Sequence, residues 1–426
     1  MGKPTVRDSV LRAVDEARDE IVALTQALIR VPTVNPPGDA YEPCAQLLGD
    51  TLRRMGFAIE YYTATQRPEH SEAYPRVNVV GRKRGRLDRP CVHLNGHIDV
   101  VPVGEGWTLD PFAGVVRDGR IYGRGASDMK AGIAAAVFAA ECVRRAGVEL
   151  LGTVEISGTV DEESGGWAGA AHLAQVGRLT SASIDHVIIP EPLEFDRICV
   201  GHRGVYWFEV TAHGRIAHGS MPFLGANAIE HMGELLHDIR GRLQPALAAR
   251  VTAMPVVPAG ARHATLNINS ITGGQSGHDV QSPCVADTCR AIFDRRFLPE
   301  ESFDRVQGEI ADVLAELQLR VPEARFSMRD LMVVHPVRTP EGSPLVASLQ
   351  RGVADVVGRE AAIVASPGTY DHKHVTRIGG IAHCVAYGPG RLELSHQPDE
   401  WCDIEELVRA TQVISLSLVD LLATAR

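Results

Sequence analysis

The sequence predicts an α/β fold: a main domain with a mostly parallel sheet flanked by helices, interrupted by an inserted ferredoxin-like βαββαβ domain. Three observations predict it. Short apolar runs alternate with helical stretches as far as Pro190. The pattern changes to longer strands after Gly201, and the first style returns after Pro336. The resulting bounds are residues 1–200 and 337–426 for the main domain and 201–336 for the insertion.

Each element has its own signal. Thr5 to Arg30 carries Val10, Val14, Ile21, Leu24 and Leu28 on one stripe and stops before Pro32, which predicts one amphipathic helix. Runs at Val77–Val80, Cys91–Asn95, Thr153–Val160 and Ile184–Ile189 read as buried strands, separated by helices over Met129–Arg145 and near Ala168–Val176. In the insertion the order is strand Val205–Thr211, helix Ala226–Arg250, strands Thr265–Ile271 and Cys284–Arg295, helix Glu301–Leu319 and strand Arg325–Met332. Val205–Thr211 is expected at an exposed edge, open to pairing with a second copy. The closing segment predicts a helix over Pro344–Val357, a strand over Ala382–Tyr387 and a helix over Ile404–Ala425.

Composition narrows the functional classes. The 426 residues suffice for two or three domains, and 45% apolar with 23% charged residues exclude a disordered or fibrous chain. A net charge of -10 disfavours phosphate backbones and anionic lipid, so neither nucleic acid nor membrane is an expected partner. The most apolar window, Ala131 to Ala140, is about half the length of a bilayer span. Met1-Gly2-Lys3-Pro4 leads into a charged amphipathic stretch, and the eight Cys show no CxxC pair, so a soluble cytoplasmic protein with reduced core thiols is expected.

The chemistry-bearing residues sit where strands end. Cys91–Gly96 runs into His97 and Asp99, a glycine-rich loop delivers Asp128 at a helix mouth, Thr153–Val160 runs into Asp161-Glu162-Glu163, and Ile184–Pro190 ends in Glu191. Ser395-His396-Gln397-Pro398-Asp399-Glu400 follows the last strand. Ligands of open α/β sheets gather at the carboxyl ends of strands, so these groups are expected to converge. Singly, Asp128 is equally a helix N-cap and Glu162-Glu163 a solvated loop. Together, two His and several carboxylates suit two zinc-like ions.

Gly96-His97-Ile98-Asp99-Val100-Val101-Pro102, Gly123-Arg124-Gly125-Ala126-Ser127-Asp128-Met129-Lys130-Ala131-Gly132, Asp161-Glu162-Glu163, Glu191-Pro192 and His396-Gln397-Pro398-Asp399-Glu400 together resemble the M20 metallopeptidase family. That family includes acetylornithine deacetylases, succinyl-diaminopimelate desuccinylases, aminoacylases and glutamate carboxypeptidases. The resemblance implies two divalent ions, zinc first with cobalt or manganese as alternatives. His97, Asp128 and Glu191 would hold one, and Asp128, Glu163 and His396 the other. It implies that Asp99 orients His97, that Glu162 is the general base, and that His218 reaches the partner subunit's site to stabilise an oxyanion. Arg203, Asn269, Arg296, Gly368 and Thr369 match positions that contact substrate. The insertion is similar to the family's lid and dimerisation domain, which implies a homodimer.

Two departures concern the substrate. Tyr370 stands where many relatives have a small Ser, and Arg391-Leu392-Glu393-Leu394 lacks the Asn that some desuccinylases place before the last metal-binding His. The expected activity is hydrolysis of the amide of a small N-acyl amino acid or diamino acid. Alternatives are a dipeptidase or carboxypeptidase, a deformylase or aminohydrolase whose aromatic substrate stacks on Tyr370, and a catalytically silent metal-binding relative. A dinucleotide enzyme is disfavoured because the loop at Gly123 reads GxGxxD after a long loop, and no GxSxG nucleophile elbow occurs.

Overall fold

The computed structural model describes residues 4–276 and 283–423. By its internal contacts the chain divides into two compact units, one reaching to Gly201 and including Thr339–Val364 and the residues from Tyr370 onward, the other His202–Arg338 with Ala365–Thr369.

The first unit is built on a mixed sheet. Its strands run in the order Ala58–Thr63, Val77–Lys83, Thr153–Thr159, Cys91–His97, His186–Ile189, His383–Ala386 and Arg197–His202. The central pairings, Thr153–Thr159 with Cys91–His97, Cys91–His97 with His186–Ile189, and His186–Ile189 with His383–Ala386, are parallel, while the flanking ones are antiparallel. Every residue of Cys91–His97 and Thr153–Thr159 is buried, as strands covered on both faces must be. Helix Ala131–Arg145 packs closely on the face carrying Gly96, where a Cβ would sit 2.6 Å from Ile133 Cγ1. The opposite face carries His93 and Asn95 from one strand directly beside Glu155 and Ser157 from its neighbour.

The first expected helix is two, Val6–Glu16 and Arg18–Ile29. At Ala17 the backbone leaves helical geometry and its N–H is shared between the Ala13 and Val14 carbonyls, so the axis steps while Val10, Val14, Ile21 and Leu28 all stay fully buried. Helix Tyr41–Arg54, strand Ala58–Thr63, strand Arg197–His202 and the short helix His372–Arg377 are additional to the expected elements, although Tyr41, Cys44, Ala45, Leu48 and Leu52 form a buried stripe at helical spacing. The last helix is Ile404–Leu422; its expected end at Ala425 lies outside the described residues. The eight cysteines are free, seven of them buried. Among the described residues no helix is long and apolar enough to cross a membrane.

The second unit has the expected βαββαβ order. Its antiparallel sheet runs Thr265–Gly274, Thr288–Phe297, Gly204–His213, Arg325–Val334. Helices Ala228–Asp238 and Phe303–Arg320 supply Met232, Leu235, Val306 and Ile310 to a core with Tyr206, Phe208 and Phe293. Phe208 and Phe293 are directly opposite in the register and stack at 5.0 Å between ring centroids. One expectation is corrected: Gly204–His213, which contains Val205–Thr211, is internal and paired on both sides. The edges are Thr265–Gly274 and Arg325–Val334.

Candidate active site

Parallel strands bring their carboxyl ends to one edge of the sheet, and that is where the first unit collects its ionisable side chains. His97 is the last residue of Cys91–His97. Glu162 and Glu163 form a short 3-10 turn after Thr153–Thr159, Glu191 follows His186–Ile189, and His396 lies in the loop after His383–Ala386. Asp128 sits in the irregular turn Ala126–Lys130 that opens helix Ala131–Arg145. That helix begins against the Glu191 loop, where a Cβ on Gly132 would lie 1.9 Å from the Pro190 carbonyl oxygen; only glycine lets Asp128 and Glu191 approach.

Two triads result. One potential ligand atom from each of His97, Asp128 and Glu191 lies within 4.8 Å of the others, and the same holds for Asp128, Glu163 and His396. Asp128 belongs to both. His97 Nε2 is 3.1 Å from Asp128 Oδ1, and His396 Nε2 is 3.0 Å from Glu163 Oε2 and 3.6 Å from Asp128 Oδ2. The imidazole of His97 is fixed from behind: Nδ1 donates to the Asp99 carbonyl oxygen at 3.0 Å, with the Asp99 carboxylate at 3.5 Å. Asp99 does more than orient the ring. Its two carboxylate oxygens accept the backbone N–H groups of Glu162 and Glu163 and the Asn35 amide, so one buried residue joins the His97 strand to the turn bearing both glutamates.

The electrostatics are those of an anionic pocket. Burial and the neighbouring Asp128 raise Glu191 well above the usual carboxylate range, and the same two causes raise Glu163. Burial pushes Glu162 up to about 8 despite Lys373, whose Nζ is 3.6 Å from Glu162 Oε1. Burial also works against a charged His97, but hydrogen bonds to Asp128 and Asp99 outweigh it and hold its pKa well above the ordinary value. Carboxylates crowded against their own charge, together with two imidazoles, form an N/O set that suits two divalent cations, which would relieve the repulsion.

The remaining predicted residues lie in the second unit. Arg203 is buried, its guanidinium donating to the carbonyls of His263 and Pro367. Arg296 is held by Asp294 through two bonds of 2.7 and 3.0 Å. Asn269 occupies a β-bulge between Ile268 and Ser270 and accepts from the Asn267 amide. His218 is exposed, with Nδ1 2.7 Å from Ser220 Oγ. Gly368 and Thr369 are half-buried in a loop where the Gly368 N–H donates to Ser366 Oγ. The stacking role expected of Tyr370 does not hold: its ring is 6% exposed and its hydroxyl donates to Cys199 Sγ at 3.4 Å, so the ring is part of the first unit's core.

Some site residues carry no role in the sequence reading. Glu400 Oε1 accepts the N–H groups of Ser127 and Asp128, and Oε2 pairs with Arg124, which also donates to the Gln397 and His396 carbonyls. Lys373 and Asp371 flank the start of helix His372–Arg377, close to Glu162. The signal for Glu400 was present, because it closes the His396 motif; Lys373 lies in a short helix with none.

Residues 93–419 match the model of the family described as Peptidase family M20/M25/M40. The chain is 28% identical over 414 residues to a succinyl-diaminopimelate desuccinylase of Psychrobacter arcticus, covering 95% of each protein. It is 29% identical over 433 residues to an N-formyl-4-amino-5-aminomethyl-2-methylpyrimidine deformylase of Bacillus subtilis, again covering 95% of each. Its fold is similar to that of a crystal structure from Bacillus subtilis described as a dinuclear metal binding peptidase, with a TM-score of 0.69 and 19% identity, covering 96% of this chain and 99% of that one.

Proposed function

The chain belongs to peptidase family M20/M25/M40 and is a hydrolase acting on C–N bonds; from that premise we propose that it cleaves the amide of a small N-acyl amino acid or diamino acid using two metal ions. The carrying observation is the shared carboxylate: Asp128 stands in both three-residue groups, His97–Asp128–Glu191 and Asp128–Glu163–His396. When bound there, two divalent ions, zinc in the first instance and cobalt or manganese otherwise, would supply Lewis acidity to the scissile carbonyl and to the attacking water.

The chain's own groups do the rest. Glu162 takes a proton from the attacking water and delivers it to the leaving nitrogen, with Lys373 holding the carboxylate in place. Asp99 keeps the His97 ring oriented and the Glu162–Glu163 turn anchored. His218, donated by a partner subunit, stabilises the oxyanion, and Arg296, Asn269 and Arg203 with the Gly368–Thr369 loop hold the far end of the substrate. A homodimer through the second unit is supported by the apolar surface around His218, where Phe223 is 79% and Leu224 54% exposed.

A second reading, removal of a formyl group from an aminopyrimidine, is favoured by the Bacillus subtilis relative. A turnover screen separates them: N-succinyl and N-acetyl amino acids, dipeptides and N-formyl aminopyrimidines, each with Zn²⁺, Co²⁺ and Mn²⁺. The highest kcat/KM is expected for an N-acyl amino acid; a preference for dipeptides or for the formyl pyrimidine would replace the proposal.

A further inference from the structure

The two central strands of the first unit carry a stripe of polar residues deep inside the protein. His93, Asn95, Glu155 and Ser157 are all fully buried or nearly so, and they alternate with apolar Val92, Leu94, Val154 and Ile156 on the other face. The parallel register sets His93 beside Glu155 and Asn95 beside Ser157. Buried polar groups in a sheet core are costly unless they are joined, and these are joined end to end. Glu155 Oε1 takes Arg82 at 3.1 Å and Arg178 at 2.9 Å; Oε2 faces His93 Nδ1 at 3.1 Å. His93 Nε2 is 2.8 Å from Ser157 Oγ, Ser157 Oγ is 2.8 Å from Asn95 Oδ1, and Asn95 Nδ2 is 3.0 Å from Asp371 Oδ2.

Counting protons gives this chain a direction. The Asn95 amide donates to Asp371, so its oxygen faces Ser157 and must accept. The single hydroxyl proton of Ser157 goes to that oxygen, so Ser157 accepts from His93 Nε2–H. The Glu155 carboxylate, an acceptor for two arginines, faces the other ring nitrogen, Nδ1. From His93 Nε2 onward, every donor in this series therefore points toward the carboxyl group of Asp371. That carboxylate lies against the catalytic turn: a Cβ on Gly166 would meet Asp371 Oδ1 at 2.5 Å, and Gly166 closes the loop that starts at Asp161 through its N–H to the Asp161 carbonyl. Lys373, two residues along, attracts Asp371 and is the group 3.6 Å from Glu162.

We propose that His93, Ser157 and Asn95 are positioning residues that hold the Asp371 carboxyl group in one orientation, and that Asp371, through Lys373 and the Gly166 loop, sets the place of the Glu162 carboxylate. The proposal rests on Glu162 being the general base. His93, Ser157 and Asn95 are sealed inside the sheet and act through their neighbours rather than on substrate. A Glu–His–Ser sequence of contacts also resembles a nucleophilic triad, but with His93 and Glu155 at 0% and Ser157 at 1% exposure no substrate reaches it.

The test is a pair of variants in the metal-loaded full-length protein, assayed on an N-acyl amino acid. S157A breaks the chain; S157T alters the packing by a methyl group but keeps the hydroxyl. The expected result is a kcat at least tenfold lower for S157A, with KM and metal content within twofold of the parent, and S157T within threefold on every measure. Equal losses in both variants, or a loss in S157A matched by loss of metal, would overturn it. Independently of activity, histidine-labelled NMR, with H93Q for assignment, should show a proton on His93 Nε2; an Nε2 without one overturns the chain's direction. E162Q assayed in parallel separates the two readings: near-parental activity there would sink Glu162 as base and with it the link to catalysis, while the His93 spectrum and the S157A–S157T contrast fail on their own terms.

Discussion

Arg124 and Glu400 form an ion pair of 2.6 Å, each 1% exposed, directly beneath the turn that presents Asp128. Glu400 is pushed up to about 7 by burial, yet it accepts two backbone N–H groups and a guanidinium proton, which favour its charged form. Removing one member of a buried pair leaves the other charge uncompensated, at a cost of about 3–5 kcal/mol. E400Q is therefore expected to lower the melting temperature and, because Arg124 also holds the His396 carbonyl, to release metal more readily. Calorimetry and metal analysis check this; an unchanged melting temperature and metal content would mean that the pair is dispensable.

The two histidines are expected to be separable. His97 is 1% exposed and locked by Asp99, whereas the His396 side chain is 50% exposed and reaches Glu163 from a surface loop. H97A should lose activity, metal and stability together, since it empties a buried site. H396A should lose one ion and activity, with a melting temperature close to that of the parent. Metal stoichiometry by elemental analysis and thermal unfolding decide it, and full activity in a metal-free preparation would end the two-metal reading.

Much of this was legible because strand ends announce themselves: His97, Glu163 and Glu191 each follow a buried apolar run, and His396 a Gly-Pro-Gly turn. The βαββαβ order was legible for the same reason. Strand order was not. Val205–Thr211 has the same composition at an edge or in the middle, and only its pairing with Thr288–Phe297 and Arg325–Val334 makes it central. Tyr370 was misplaced because one residue in a loop carries no sign of which way it faces; the structure turns it inward to Cys199. The polar stripe His93, Asn95, Glu155, Ser157 had a period-2 signal inside otherwise apolar strands, and a strand-by-strand reading of faces would have found it.

Acid should destabilise the protein partly through His186. Its ring is 8% exposed, and burial, followed by the nearby His383 at 5.5 Å, lowers its pKa to about 4. An unfolded His titrates near 6.5. Between those values the unfolded chain binds a proton that folded His186 refuses, so stability falls as pH drops from about 6.5 to about 4. H186N removes that contribution. Over this window the variant is expected to lose less stability than the parent, by on the order of 3 kcal/mol. Denaturant unfolding at several pH values measures the difference, and parallel curves for the two proteins would exclude His186.

If His218 serves a neighbouring copy, two inactive variants should complement each other. H218A keeps an intact Glu162 and E162Q an intact His218, so a mixed dimer has one complete site. Activity approaching about a quarter of the parent's is expected after co-refolding or subunit exchange, since half the dimers would be mixed with one working site of two. Verified heterodimers without activity would place His218 within its own subunit's site, and a monomeric protein in solution would remove the dimer altogether.

The substrate's anion gives the last prediction. Arg296 offers a planar guanidinium, and its present partner Asp294 lies two residues away on the same strand, so a substrate carboxylate would have to share or displace that pair. Binding energy from this remote end would place the scissile amide, so its loss should appear in kcat as well as in KM. R296A is compared on a free-acid N-acyl amino acid and on the neutral amide of the same compound. A carboxylate grip predicts a loss of about 10²-fold in kcat/KM on the acid, as for a charged hydrogen bond of roughly 3 kcal/mol, and little on the amide. Equal losses on both would make Arg296 a structural partner of Asp294. D294N supplies the converse: freeing Arg296 from its neighbour should lower KM for the acid alone, and a D294N enzyme unchanged on both substrates would show that the guanidinium never meets the carboxylate.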